Sequence, residues 1–213
     1  MSYFGNEYER RTLMNIEALY FQKYFYFKHL NQSSSEHRVT YWVKLSRDIE
    51  LHRLMYALLD VVQNQPVLRT QFVTDDFNQL KINLRDFFPF IEIQEVNEMS
   101  QSIDLEAFFT RNLNSYHFNQ LPLFNFKIYQ FLDEAYLLLD FHATIFNESQ
   151  LNPFLQQVNI AYTHSLKSEY SISDFYNWIK EMNQKMDQNQ AECPLKHFNV
   201  LNADGDNYAY IPV

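Results

Sequence analysis

The run Tyr136-Leu137-Leu138-Leu139-Asp140-Phe141-His142 constrains this chain more than any other segment. Its apolar density reads as a strand, and it delivers His142 to the loop Ala143-Thr144-Ile145-Phe146-Asn147. Glu148 and Ser149 then give the following helix an acidic, serine-bearing start. Leu123 to Phe131 is the antiparallel neighbour of that strand, joined through Asp133-Glu134.

The rest of the chain fits around that pair. Leu13, Ile16, Leu19, Tyr20 and Tyr24 stand at helical spacing and predict a first helix from Leu13 to Lys28. Arg38 to Leu45 alternates through Val39, Tyr41 and Val43 and predicts a strand. Ser46 and Asp48 offer helix-start oxygens to a helix whose stripe is Leu51, Leu54, Met55, Leu58, Leu59 and Val62. Leu68 to Thr74 and Gln79 to Leu84 flank the polar turn Asp75-Asp76-Phe77-Asn78 and read as a hairpin. A short strand at Phe90 to Gln94, a helix at Leu105 to Leu113, and helices at Gln150 to Ser165 and Ser173 to Met186 complete the order. The layout is α+β with a mixed or antiparallel sheet.

Composition bounds what such a chain does. With 17 Lys+Arg against 26 Asp+Glu the net charge is −9, a field that attracts neither nucleic acid nor an anionic membrane. Two glycines in 213 residues leave no phosphate-cradling loop or dinucleotide fingerprint, both of which need glycine for close backbone approach. The single Cys193 excludes an intramolecular disulfide framework and a cysteine zinc site. His29, His37, His52, His117, His164 and His197 lack metal-ligand spacing and read as surface or half-buried residues. No basic segment and apolar core open the chain and no run reaches membrane-spanning length, so the expectation is a soluble cytoplasmic protein. Tyr20, Phe21, Tyr24, Phe25, Tyr26 and Phe27 put aromatics on every side of the first helix, more than one buried face needs. Part of that cluster is core, and the surplus is expected to cover a partner or a second copy.

Several segments, in order over Leu13 to Met186, resemble the N-terminal lobe of nonribosomal peptide synthetase condensation domains, of the chloramphenicol-acetyltransferase superfamily. Gln65-Pro66-Val67-Leu68-Arg69-Thr70-Gln71-Phe72 is similar to the family's H-P-x-L-R-T-x-F, and Gln79-Leu80-Lys81-Ile82 to its Q-x-I. Phe118 to Phe124 looks like F-x-L-x-x-x-P-L-x-R, with Asn125 where the family has Arg. Tyr170-Ser171-Ile172-Ser173-Asp174-Phe175-Tyr176-Asn177-Trp178 resembles Y-x-D-Y-x-x-W. His142 falls at the first histidine of HHxxxDG, while the second histidine, Asp and Gly positions carry Ala143, Asn147 and Glu148.

The resemblance implies a single chloramphenicol-acetyltransferase-like lobe over residues 1–190, with 191–213 a polar tail or linker. It implies that the usual second lobe, and with it half of the tunnel holding the active site, lies beyond this chain. The second histidine orients or deprotonates the nucleophile in such enzymes, and Ala143 has no titratable group with which to do so. Glu148 is expected to add bulk and negative charge beside a pocket that receives a carbonyl oxygen, opposing an oxyanion. Strand alternation turns His142 away from the position of that second histidine. His142, Asn147, Arg69, Asp174 and Trp178 are therefore expected to be structural. No metal and no cofactor are expected; a carrier's phosphopantetheine enters only if another lobe completes the site in trans. The expected partners are adjacent synthetase domains or a second copy.

Overall fold

Two sheets carry the fold. The computed structural model describes residues 16–31, 37–118, 120–164 and 172–187. Along the chain run β1 (Ile16–Glu17), α1 (Tyr20–Asn31), β2 (Arg38–Lys44), α2 (Leu51–Asn64), β3 (Thr70–Thr74), β4 (Leu80–Leu84) and β5 (Glu92–Glu95). Then follow α3 (Leu105–Arg111), β6 (Phe124–Gln130), β7 (Ala135–His142), α4 (Leu151–Thr163) and α5 (Ile172–Asp187). The larger sheet has the order β2-β7-β6-β5 and the smaller β1-β4-β3. All pairs are antiparallel except β5 with β6.

β7 is buried from Tyr136 to His142, and its period of two divides the interior. Leu137, Leu139 and Phe141 enter the main core, where Phe141 stacks on Phe146 at 3.7 Å and meets Phe126 and Phe154 edge-on. Tyr136 and Leu138 face the other way, onto Phe109 of α3, Tyr129 and Phe131. Asp140 and His142 continue that second face, and both are fully buried. α2 supplies Leu54, Ala57, Leu58, Val61 and Val62 to the main core, and α4 supplies Leu151, Phe154, Leu155 and Val158.

The first helix starts later than its periodicity predicts. Ile16 pairs with Ile82 and Glu17 with Lys81 as β1, and the Ala18 N–H donates to the Leu80 carbonyl. An apolar residue every three or four positions fits a helix, but pairing with β4 wins here, and the chain turns helical only at Tyr20. The second helix also starts without the expected help. Glu50 is its N-cap and makes no side-chain cap bond; the Glu50 N–H instead donates to the Tyr162 hydroxyl at 3.0 Å. Pro66–Arg69 forms a 3-10 turn before β3, which shortens the expected strand. The turn at Asp75 is built as anticipated: its carboxylate accepts from the N–H groups of Phe77 and Gln79, and Asn78 takes the left-handed conformation at φ 59°. The boundary placed between residues 190 and 191 lies outside the described residues, as do Leu13, Cys193 and His197.

Candidate functional site

The motif loop leaves the sheet between two backbone anchors. His142 N–H donates to the Leu123 carbonyl and Ala143 N–H to the His37 carbonyl, both at 2.9 Å. These bonds continue the ladder past β7 and hold consecutive side chains on opposite sides. His142 enters a closed aromatic box formed by Tyr116, Phe118 and His29, with ring centroids at 5.7, 4.7 and 5.2 Å. Its Nδ1 accepts from the Thr144 N–H at 3.1 Å and lies against the Thr144 hydroxyl. The ring proton is thereby assigned to Nε2, which faces His29 Nδ1 at 3.4 Å. Burial, reinforced by His29, His37 and Arg38, lowers the His142 pKa to about 3.

Ala143 and Asn147 open instead onto a cavity of about 400 Å³. Its walls come from the start of α1, the C-terminal end of α2, the motif loop, α4 and α5, where Trp178 and Phe175 close one side. Among the described residues lining it there is no acid, base, thiol or hydroxyl. The polar groups are carboxamides: Gln22, Asn64, Gln65, Asn147, Gln150 and Gln157. Asn147 is the N-cap of the short turn Glu148–Gln150. Its N–H donates to Gln150 Oε1 at 2.9 Å, and its Oδ1 accepts from the Ser149 hydroxyl at 2.6 Å. Glu148 departs from expectation. It is exposed and does not line the cavity, because the turn at Asn147 carries it outward. Its charge falls on Tyr41, whose phenol is pushed up to about 12 by burial and then by Glu148.

Beside His142 the same face of β7 carries an ion pair that the sequence reading passed over. Arg38 and Thr40 of β2 lie opposite His142 and Asp140 in the register. Arg38 Nε donates to Asp140 Oδ1 at 3.1 Å and its Nη2 reaches Oδ2, while the hydroxyls of Thr40 and Tyr116 also donate to the carboxylate. Burial pulls the Arg38 pKa down, but the bonds and charge of Asp140, then Tyr116, carry it above its ordinary value. Tyr116 is raised well above its usual range by burial and then by Asp140. One of the histidines needs correction too. His37 is buried rather than half-buried, while His29 is half-buried as expected and packs on His142. No group of His, Cys, Asp or Glu among the described residues is arranged to hold a metal.

The other singled-out residues are dispersed. Arg69 is buried at the head of edge strand β3, donating to Asp86 at 2.9 Å. Asp174 is exposed on α5, and Trp178, on the same helix, borders the cavity. Gln65 and Gln157, 92 positions apart, meet in the cavity by donation from Gln65 Nε2 to Gln157 Oε1.

The sequence model of the family described as Condensation domain matches residues 16–196. The chain belongs to the condensation-domain family. No curated protein matches it. Among solved structures it is similar to the starter condensation domain of rhizomide synthetase, with a TM-score of 0.67 and 15% identity over 88% of this chain and 48% of that one. The first condensation domain of the CDA synthetase aligns at TM-score 0.67 and 10% identity, over 80% of this chain and 46% of that one. The X-domain from teicoplanin biosynthesis gives 0.65 and 15%, over 84% and 40%. At these identities the likeness is one of fold. The chain spans less than half the length of these condensation-domain structures.

Proposed function

We propose that this condensation-domain lobe is a non-catalytic element of nonribosomal peptide synthesis, serving a structural or docking role beside other synthetase domains. One observation carries the reading: among the described residues lining the cavity at the motif loop there is no titratable side chain. Two places where the family motifs carry histidine face this cavity, and they hold Ala143 and Gln65. General acid–base catalysis needs a group with a usable pKa within hydrogen-bond reach of the nucleophile, and contributes roughly 10²–10⁴-fold. The remaining histidine is ill-suited to the task. His142 is enclosed, its free lone pair is taken by the Thr144 N–H, and its pKa of about 3 makes it a very weak base.

The rival reading is a working acyltransferase; the chain spans less than half the length of its structural relatives. A second lobe in trans would then complete the site and bring the base, with His142, Asn147 and Ser149 as the residues to examine here. The test is amide formation by the purified chain, alone and with the neighbouring synthetase domains, from a carrier-bound acyl thioester and an amine. Absence of product above the background rate in both mixtures supports the proposal. Product that disappears with His142→Ala overturns it.

A further inference from the structure

We infer that the cavity at the motif loop binds an uncharged ligand bearing a secondary amide, read by the Gln65–Gln157 pair. This deepens the non-catalytic reading by giving the retained cavity a ligand class. The first ground is exclusion. A cation or anion entering the cavity finds no opposite charge among the described lining residues, and an unpaired charge taken from water is costly. Only a neutral molecule enters without that penalty.

The second ground is the pair itself. Gln65 Nε2 donates to Gln157 Oε1. Among the described residues this leaves the Gln157 Nε2 and the Gln65 Oε1 without a partner. Joined by one bond, the two carboxamides still offer N–H donors and a carbonyl acceptor at these two unpartnered atoms, and they do so whichever of them donates within the pair. The complement of donor beside acceptor is a group with both functions close together. A secondary amide supplies a C=O for Gln157 and an N–H for Gln65; a thioester or ester lacks the N–H. Phe21, Phe146 and Trp178 supply apolar wall on the same cavity, so the amide belongs to a molecule with an apolar arm. A volume of about 400 Å³ sits at the small end of ligand pockets, suiting a short acyl amide.

N-hexanoylglycinamide is a suitable probe, with hexanoate and hexylammonium as charged controls of the same arm. Calorimetry on the full chain at pH 7, with Trp178 fluorescence as a second signal, is expected to show saturable amide binding and at least tenfold weaker binding of both ions. Gln157→Leu should weaken the amide roughly 3- to 10-fold. Gln157→Glu keeps an acceptor for Gln65 but replaces the outward donor by a charge. It should weaken the amide at least as much and let hexylammonium bind more tightly than to the native chain. Thermal melts of each variant confirm that it folds. Failure of the amide to bind, equal binding of hexanoate, or native affinity in both variants overturns the inference. Amide formation in the separate thioester assay would end the non-catalytic reading and leave this binding result standing.

Discussion

His142 keeps its imidazole in surroundings that disfavour the protonated form. Desolvation lowers its pKa from 6.5 to about 3, and His29 is lowered in the same direction by burial and by His37 and His117. The consequence for stability has a definite sign. Below pH 6.5 the unfolded chain takes up protons at these positions that the folded chain refuses, so stability falls as the pH drops toward the folded values. The slope is at most about 1.4 kcal/mol per pH unit for each group. Between pH 6.5 and about 5.5 the carboxylates with depressed values, Asp75, Asp133 and Glu134, stay largely ionised in both states. Urea unfolding across that window should show the loss, and His142→Gln should flatten it; an unchanged slope in the variant would assign the effect elsewhere. The neighbouring Asp140 makes the opposite kind of prediction. Its charge is fully buried and answered by Arg38, Thr40 and Tyr116, so Arg38→Met should cost about 3–5 kcal/mol by leaving that charge unpaired. Denaturation of the double variant Arg38→Met with Asp140→Leu should recover much of the loss, because both desolvation costs then disappear.

At the scale of elements, β7 is the piece on which the two cores and the motif loop all depend. Amide exchange should be slowest at Leu137 to Phe141 and faster in β5, a short charged edge strand held only by β6. Phe141→Ala should destabilise by about 3–5 kcal/mol, since the ring touches Phe126, Phe146 and Phe154 at once. Most of these elements were legible from periodicity alone: alternation gave β2, the polar turn at Asp75 gave the β3–β4 hairpin, and the stripe from Leu51 to Val62 gave α2. The start of α1 was not legible, because Ile16 and Leu19 satisfy helical spacing while β4 offers a strand partner more than sixty positions away. The site divides the same way. Alternation across His142 and Ala143 can be read along one strand. The Gln65–Gln157 contact and the Arg38–Asp140 pair join positions about a hundred residues apart; the first follows only from the packing of α4 beside the end of α2, the second only from the β2–β7 register.

For the whole molecule, the question is what meets a lobe that spans less than half of its structural relatives. α1 turns Tyr20, Tyr24, Phe27 and Leu30 outward, at spacings of four, three and three that form one stripe, while Phe21 and Tyr26 pack on the main core. Such a stripe favours association, and light scattering behind size-exclusion chromatography should find either a species larger than a monomer at high concentration or a complex with an adjacent synthetase domain. Tyr24→Glu together with Phe27→Glu should weaken whichever forms; association that survives the pair of charges would place the contact elsewhere. The central claim concerns chemistry, and the direct measurement is amide formation from a carrier-bound acyl thioester and an amine, with and without neighbouring synthetase domains. No product above the uncatalysed rate is expected in either mixture, for the native chain and for His142→Ala alike. Turnover by the native chain that His142→Ala abolishes would contradict that claim.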